Sequence, residues 1–389
     1  MKKNNVKSQS GFTLIELMVA LVLGLIVVAA AVQLFTGGIL SSRLQQANAE
    51  IQDSGIFGLD YIVRDIRFAN QDNLANLKLN DKTPYGGIIL TGSTATSSTN
   101  VNFVPKVSSS TYIDSALLSR GQDDTVSTTS NYWKGLTQVT LKDSAGAVIA
   151  NPVSDQLTIQ FFAPTQMTNC EGATVLSGDL VVQRYFVRPD SNGSSTDFAL
   201  ACDANTPSAT AAAVKAAATA RTTVNETTNT ISPLPVTGLG DAGQIIIPRV
   251  DHFHVLLGAM VTTETTTTIT NRTVTPATVT TTKTVSNQFG YYTIPQYRTV
   301  AETAATDNTT GAGSATETNT KVTLSSRILS TQISILVRSA NNAQNKAIDP
   351  TRPLLMLDQT ATPSDTTTRF QRRVYSTTVA LRNAMGDSL

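Results

Sequence analysis

This 389-residue sequence lacks an excess of charge of either sign, because 29 Lys and Arg residues are balanced by 28 Asp and Glu residues. A chain with a formal net charge of +1 has no general attraction for phosphate, so its charge gives no support for nucleic-acid binding. One local cluster of arginines lies near the C-terminus, at Arg369, Arg372, Arg373 and Arg382. We interpret this cluster as a charged edge strand that keeps a sheet soluble.

The sequence also lacks the motifs of common catalytic sites, since it has no nucleophile elbow, P-loop or H-E-x-x-H pattern. The two histidines, His252 and His254, alternate on a predicted strand and would share a face, as half of a metal site does. No cysteine or carboxylate cluster accompanies them, so we interpret them as a hydrogen-bonded polar face. Asp123 and Asp124 lack the spacing of a calcium loop and indicate a solvated turn. The sequence therefore predicts no catalytic residue, no metal and no cofactor.

One long apolar run stands out in this sequence. Residues 12–40 contain a single charged residue, Glu16. As a helix this run would be about 43 Å long, which exceeds the roughly 30 Å of hydrocarbon in a bilayer. Lys2, Lys3 and Lys7 precede it without any acidic residue, and basic residues favour the cytoplasmic side. The sequence predicts a single membrane span with a cytoplasmic N-terminus and a translocated remainder.

The carboxylate of Glu16 is unusual in an apolar run. A charged side chain at the bilayer centre costs roughly 2.5 to 3.5 kcal/mol on insertion scales, so it is expected to have a partner or a function. If the chain were cut between Gly11 and Phe12, a new α-amino group would lie beside the helix. In a medium of low dielectric constant, Glu16 of one chain could then neutralise the amino terminus of another.

Residues 10–16, S-G-F-T-L-I-E, follow a short basic leader and open the apolar run. This arrangement resembles the class III signal of type IV pilins and of type II secretion pseudopilins. In that family a prepilin peptidase of the inner membrane cuts after the glycine and N-methylates the phenylalanine. The resemblance implies that Gly11 ends the leader, that Phe12 is the methylated mature N-terminus, and that Glu16 is needed for packing into a fibre.

Two other interpretations of the N-terminus remain open on the sequence. An ordinary secretory signal peptide could be cleaved after the small residues at positions 29–31. Such a signal would avoid a charge inside its apolar region, and Glu16 lies there. The second alternative is a plain uncleaved membrane anchor.

Beyond residue 40 the apolar residues recur at steps of three and four, with polar residues on the other faces. This stripe predicts that the helix continues to about residue 70, with an amphipathic half within residues 41–80. The stripe consists of Leu44, Ala47, Ile51, Gly55, Leu59, Ile62, Ile66 and Ala69.

Residues 81–389 are rich in Thr, Ser, Val and Ile, in short runs bounded by turn residues, which is typical of strands. We predict an α+β fold of pilin type, in which one long N-terminal helix packs on a large head domain of antiparallel strands. The clearest predicted strands are residues 156–162, 180–187, 244–247, 253–257, 291–294, 330–337 and 374–381.

Four segments of biased composition interrupt these strands: residues 91–110, 204–230, 261–283 and 302–320. Such segments bury little apolar surface, so we expect loops or protruding hairpins rather than core. The threonine tract at 261–283 alternates with Val and Ile in places, which also allows an edge hairpin. We interpret the four segments as tolerated surface insertions, with a displayed or glycosylated surface as the functional alternative.

The two cysteines, Cys170 and Cys202, both lie in the part of the chain predicted to be translocated. An oxidising compartment and an even number of cysteines predict a disulfide bond between them. Closing a loop of this length stabilises a fold by roughly 3 to 4 kcal/mol in the chain-entropy model. Their spacing excludes a C-x-x-C redox or metal motif.

Within the pilins, four segments resemble the PilW family of large minor pilins, namely residues 60–67, 157–161, 169–172 and 372–383. This resemblance implies a structural protein that moves from the inner membrane to the pilus tip. Its implied partners are prepilin peptidase, other minor pilins, the major pilin, the inner-membrane assembly platform and a large tip adhesin. The implied role is to prime polymerisation of the major pilin. The alternatives are a J-type pseudopilin of type II secretion and a membrane-anchored adhesin or binding protein.

Overall fold

The computed structural model describes residues 11, 13–73, 78–94, 100–190, 197–222, 224–225, 230–231, 233–302, 306–381 and 383. The predicted leader at residues 1–10, the predicted N-terminus Phe12 and the arginine Arg382 lie outside the described residues.

A single long helix dominates the N-terminal part of the chain. It consists of α1 (Leu14–Gln52), one π-helical turn (Asp53–Phe57) and α2 (Gly58–Ile66). No proline lies within it to remove a backbone donor, so the helix continues without a break. Its predicted extent, to about residue 70, is confirmed to within a few residues.

The predicted apolar stripe faces the head. Leu44, at its N-terminal end, is half-buried. The rest of the stripe is buried, and consists of Ala47, Ile51, Gly55, Leu59, Ile62, Ile66 and Ala69. The amphipathic pattern therefore places the C-terminal half of the helix against the core, as predicted.

The head is built mainly from β-strands, together with two α-helices, α3 (Ala211–Thr222) and α4 (Ile294–Glu302), and a short 3-10 helix (Ser115–Leu117). The strands are β1 (Val139–Lys142), β2 (Gln156–Phe162), β3 (Met167–Thr168), β4 (Thr174–Val175), β5 (Leu180–Pro189), β6 (Phe198–Ala204), β7 (Val224–Asn225), β8 (Thr230–Ile231), β9 (Gln244–Pro248), β10 (Val250–Asn271), β11 (Thr278–Thr293), β12 (Thr306–Thr310), β13 (Thr316–Arg338), β14 (Leu354–Met356), β15 (Gln359–Pro363) and β16 (Arg372–Ala380).

Two antiparallel sheets carry the core. The first has the order β2-β5-β6-β9. The second has the order β11-β10-β13, with β12 and β16 both pairing with β13, at different parts of its length. A smaller sheet, β1-β15-β14, and two short hairpins complete the described strands. All seven predicted strands are confirmed, and the fold is α+β as predicted.

The main core lies between the helix and both large sheets. Ile62 and Ile66 of the helix belong to the same buried cluster as Phe161 of the first sheet and Phe253 of the second. Every member of that cluster is removed from water, and each large side chain contributes roughly 1.5 to 3 kcal/mol on burial. The helix is therefore an integral part of the core of the head.

Two glycines allow the helix to approach the sheets closely. A methyl group at Gly55 would collide with the ring of Tyr375 on β16, and one at Gly58 would collide with the side chain of Ile247 on β9. Glycine costs a helix about 1 kcal/mol relative to alanine, so these positions weaken the isolated helix. In the folded protein, however, the same glycines allow the helix backbone to contact side chains of both sheets directly.

The biased segments differ from one another in structure. Residues 261–283 and the described residues 306–320 contribute to β12 and to long extensions of β10, β11 and β13, which protrude as expected. The expectation for 204–230 was wrong, because residues 211–222 form α3, and their alanines are the strongest helix formers. The expectation for 91–110 was partly wrong, since Phe103 is fully buried in a second core cluster.

The close approach at Gly58 generates a stability prediction. Gly58→Ala raises helix propensity, yet the added methyl group meets the fully buried Ile247, and overpacking of this kind costs roughly 1 to 3 kcal/mol. We expect a lower free energy of unfolding in urea, measured on the detergent-solubilised chain through the fluorescence of the buried Trp133. Gly24→Ala is the matched control, because nothing lies within 4 Å of the added atom. A Gly58→Ala variant as stable as the control would contradict this packing account.

Candidate functional site

The N-terminal end of the long helix is closed by a capping box. Thr13 is the N-cap, and its backbone N–H and its hydroxyl both donate to Oε2 of Glu16, at 3.0 and 2.9 Å. The N–H of Glu16 donates to Oγ1 of Thr13 at 3.3 Å. The pair thus satisfies backbone donors that a helix start leaves unpaired.

The capping role of Glu16 was missed by the sequence analysis, although its signal is visible. Thr13-Leu14-Ile15-Glu16 has the T-x-x-E spacing that precedes an apolar run in a capping box. Glu16 therefore has a partner within its own chain. The predicted cleavage residue Gly11 is exposed, three residues before the helix begins.

The first half of the helix makes no core contact. Residues 13–39 are all exposed, including large apolar side chains such as Leu34, which is 81% exposed. The most apolar window of this helix has a mean hydropathy of 2.8, and none of that window is buried. By length and composition this is the one helix of the described residues that could cross a membrane. Its exposed apolar surface requires a lipid bilayer or other apolar helices as its surroundings.

The helix first contacts the head at the loop after β13. Arg43 donates to the side-chain oxygen of Gln344, and the N–H of Ala340 donates to Oε2 of Glu50 at 3.3 Å. A groove of about 370 Å³ lies between this loop and the helix. These polar contacts mark the position at which the apolar half gives way to the amphipathic half.

Two family models match the chain. A prokaryotic N-terminal methylation motif matches residues 6–32, which include the predicted cleavage site and Glu16. The model described as type IV pilus-assembly protein W matches residues 184–383, just over half of the 389-residue chain. The chain belongs to the PilW family. Comparison with curated proteins and with solved structures gave no significant match.

Membership of the PilW family makes this chain a pilin related to type IV pili, and a pilin acts together with other pilus components. Both matched families are structural components of pili, not enzymes. The methylation motif and the apolar N-terminal helix together fit a membrane-anchored pilin.

The predicted disulfide bond is confirmed. Cys170 and Cys202 are bonded, with their Cα atoms 6.1 Å apart. The bond joins β6 to a turn in which Oδ1 of Asn169 accepts hydrogen bonds from the N–H groups of Glu171 and Ala173. It therefore fixes a loop to a central strand of the first sheet, within the PilW-family head.

A buried ion pair in the same sheet was not predicted. Arg184 and Asp203 are paired on β5 and β6, both side chains are fully buried, and Nη2 of Arg184 lies 2.8 Å from Oδ2 of Asp203. The guanidinium also donates to the carbonyls of Asn131 and Asp241 and to the side chain of Gln156. Removing one partner would leave an uncompensated buried charge, which typically costs 3 to 5 kcal/mol. The pair has a structural role that ties two loops to the sheet.

The two histidines form a buried hydrogen-bonded cluster, in agreement with the favoured interpretation. His254 lies between two carboxylates, with Nδ1 at 2.9 Å from Asp155 and Nε2 at 2.7 Å from Asp358. Nδ1 of His252 lies 2.7 Å from the hydroxyl of Thr137. Among the described residues, no group of three or more His, Cys, Asp or Glu side chains is arranged to hold a metal ion.

These surroundings give the two imidazoles different protonation states. Burial alone would lower the pKa of His254, but Asp155 and Asp358 outweigh burial and raise it to about 9. Burial, together with the neighbouring His254, lowers the pKa of His252 to about 3. At neutral pH the cluster therefore contains one imidazolium ion, which holds the turn after β14 against β10.

Two interpretations of surface charges need correction. The side chain of Asp124 is nearly buried and forms ion pairs with Arg120 and Arg298, at 3.1 and 2.8 Å, so it is not part of a solvated turn. Arg372 is likewise not a solubilising edge charge, because its Nε lies 2.9 Å from Oδ2 of the buried Asp251. Both residues hold elements together, whereas Arg373 is exposed as expected.

The His254 cluster predicts a pH dependence of stability. Because the pKa of His254 is higher in the folded than in the unfolded chain, its stabilisation is complete below about pH 6.5 and is lost as the pH rises through about 9. We expect the free energy of unfolding to fall by about 2 kcal/mol between pH 7 and pH 9. Urea titrations at each pH measure this, with His254→Gln as the comparison. If the free energy of unfolding fell equally with pH in the variant and in the native chain, the assignment of this dependence to His254 would be contradicted.

Proposed function

We propose that this PilW-family pilin is a minor pilin of a type IV pilus, incorporated in the tip complex that primes assembly. Cleavage between Gly11 and Phe12 would remove the leader, and N-methylated Phe12 would become the mature N-terminus. The observation that carries this proposal is the long helix, whose buried half belongs to the core while its other half is wholly exposed and apolar. The exposed apolar half can pack against the corresponding helices of other pilin subunits.

The proposed organisation follows from the helix. Residues 1–11 form the leader, residues 12–40 the membrane and assembly segment, residues 41–80 the segment that contains the amphipathic half of the helix, which ends at Ile66, and residues 81–389 the head. The N-terminus lies in the cytoplasm and the head in the periplasm before assembly, since the leader carries only basic charges. After assembly the head lies outside the cell.

We propose that Glu16 changes partners on assembly. In the isolated chain its carboxylate binds Thr13, one residue after the position of the predicted amino terminus. When a neighbouring subunit inserts, the carboxylate would exchange this contact for the positively charged terminus of that neighbour. The attraction within an ion pair of this kind is far stronger in an apolar surrounding than in water, and this offsets part of the cost of burying both charges.

The size of the head favours a position at the end of a fibre. Residues 261–271 of β10 form part of an extension of about 35 Å at the usual rise per strand residue. A projection of this length on every subunit would crowd a helical array, but one copy at an end is tolerated. The proposed partners are prepilin peptidase, the inner-membrane assembly platform, other minor pilins, the major pilin and a large tip adhesin.

Two substitutions separate the charge of Glu16 from its capping function. Glu16→Gln keeps an oxygen that can accept from Thr13 but removes the charge, whereas Glu16→Ala removes both. We expect both variants to insert in the membrane normally and both to reduce the pili recovered in sheared fractions by at least tenfold. Membrane fractionation provides the control for insertion.

Each outcome of this experiment has a distinct meaning. Normal piliation in both variants would contradict an assembly role for Glu16, and normal piliation in Glu16→Gln alone would reduce its role to helix capping. Quantitative mass spectrometry of sheared fibres from the native strain tests the tip position. We expect about one copy per fibre, and a copy number comparable with that of the major pilin would contradict it.

A further inference from the structure

The long extensions of the second sheet form an arm with two different faces. We define the arm as β12 together with residues 262–271 of β10, 278–287 of β11 and 316–325 of β13. All of its pairings are antiparallel and its register is regular within these limits. Because directly opposed residues of antiparallel strands point to the same side, the register assigns each side chain to a face.

One face, the charged face, contains every charged side chain of the arm. Most of these charged side chains bind other side chains: Nζ of Lys283 lies 2.8 Å from Oε2 of Glu264, and Nδ2 of Asn319 donates to Asp307 at 2.9 Å. Glu317 pairs with Arg272, just beyond the arm, at 2.9 Å. The polar groups of this face are thus largely satisfied within the protein.

The opposite face, the threonine face, carries no charge among the described side chains and is mainly threonine. It consists of Thr263, Thr265, Thr267, Ile269 and Asn271 of β10, Thr278, Thr280, Thr282, Thr284 and Ser286 of β11, Asn308 and Thr310 of β12, and Thr316, Thr318, Thr320, Val322 and Leu324 of β13.

The hydroxyl groups of the threonine face are available to a ligand. Among the described side chains of this face, only Thr310 donates its hydroxyl to a protein group, the carbonyl of Thr318 at 3.4 Å. The residues of β11 on this face are all exposed, whereas those of β10 and β13, which lie between neighbouring strands, are mostly half-buried. Sheet geometry spaces the side chains about 4.8 Å apart across strands and about 6.7 Å apart along them. The face is therefore a regular grid of hydroxyl and methyl groups open to solvent.

The chemistry of this grid restricts its partner. Without a cation it has nothing to neutralise phosphate, which disfavours nucleic acid and anionic lipid. It also lacks tryptophan, tyrosine and arginine, which anchor most protein interfaces, whereas threonine is under-represented among such anchors. Each hydroxyl that is buried on binding needs a hydrogen-bonding partner. A partner that is uncharged and bears hydroxyl groups at regular intervals meets these requirements.

We propose that the threonine face binds an uncharged, insoluble polysaccharide, whose sugar hydroxyls exchange hydrogen bonds with the threonine Oγ1 atoms. Each single contact would be weak, but several rows engaging one ordered surface act together and raise the total affinity. This inference does not depend on the assembly role proposed above, because it concerns only the arm.

The two faces provide a matched test on the detergent-solubilised full chain. Thr267 and Thr282 face each other on the threonine face, and the adjacent pair, Thr268 and Thr281, lies on the charged face. We expect microcrystalline cellulose or chitin powder to deplete the native chain from solution. Thr267→Lys with Thr282→Lys should lower the bound fraction at least fivefold, whereas Thr268→Lys with Thr281→Lys should change it less than twofold.

A second variant preserves the shape of the arm. Thr267→Val with Thr282→Val keeps both β-branched side chains and removes only the hydroxyls, and it should also weaken binding several-fold. Circular dichroism and thermal melting establish that each variant is folded. Failure of both polysaccharides to deplete the native chain would overturn the proposal, as would equal losses on the two faces. Inhibition of ice recrystallisation without polysaccharide binding would overturn it as well, by assigning the grid to ordered water.

Discussion

The structure depends on one helix that meets two different surroundings. From Leu14 to about residue 40 its side chains are apolar on nearly every face, Glu16 being the one charge, and contact nothing in the head, whereas from Ala47 onward a single stripe is buried. The same backbone must therefore satisfy its hydrogen bonds internally where no water is present, and also serve as a core element of a β-rich head. An unbroken α-helix with one π-helical turn meets both requirements.

The junction between these halves is made by polar contacts of Arg43 and Glu50 with the loop after β13. Further along the buried half, Gly55 and Gly58 bring the helix backbone into direct contact with side chains of β16 and β9. At the other end, the cap formed by Thr13 and Glu16 completes the helix start close to the predicted cleavage site. A carboxylate that is hydrogen-bonded within its own chain costs less free energy in an apolar surrounding than one without a partner.

The head is held together by buried polar groups as well as by its apolar core. Arg184, which pairs with Asp203, donates to the carbonyls of the distant Asn131 and Asp241. The carboxylates around His254 and the pair of Asp251 with Arg372 likewise join elements that are distant in sequence. Each charge depends on its partner, because an unpaired buried charge is far more costly than a solvated one. This arrangement gives the loops of the head fixed positions on the sheets.

Local patterns made the helix, the strand positions and the disulfide predictable. The stripe from Leu44 to Ala69 has helical period, and the strand at residues 156–162 matches β2. The buried pairs were not predictable, because Arg184 and Asp203 meet only through the register of β5 and β6, which composition does not reveal.

The two faces of the arm were not predictable either. Its threonine tract indicated a hairpin, but the segregation of charge to one face follows only from the pairing of β10 with β11 and β13. At the candidate site, the prepilin motif suggested Glu16, whereas its contact with Thr13 required the position at which the helix begins.

The most direct test of this account is mass spectrometry of the N-terminal peptide of the chain recovered from a membrane fraction. We predict a peptide that begins at N-methylated Phe12, since a pilin of this family would be processed after Gly11 before it enters a fibre. A peptide that begins after residue 31 would indicate a released secreted protein, and an intact Met1 would indicate a plain membrane anchor. Either of these results would contradict the proposed function.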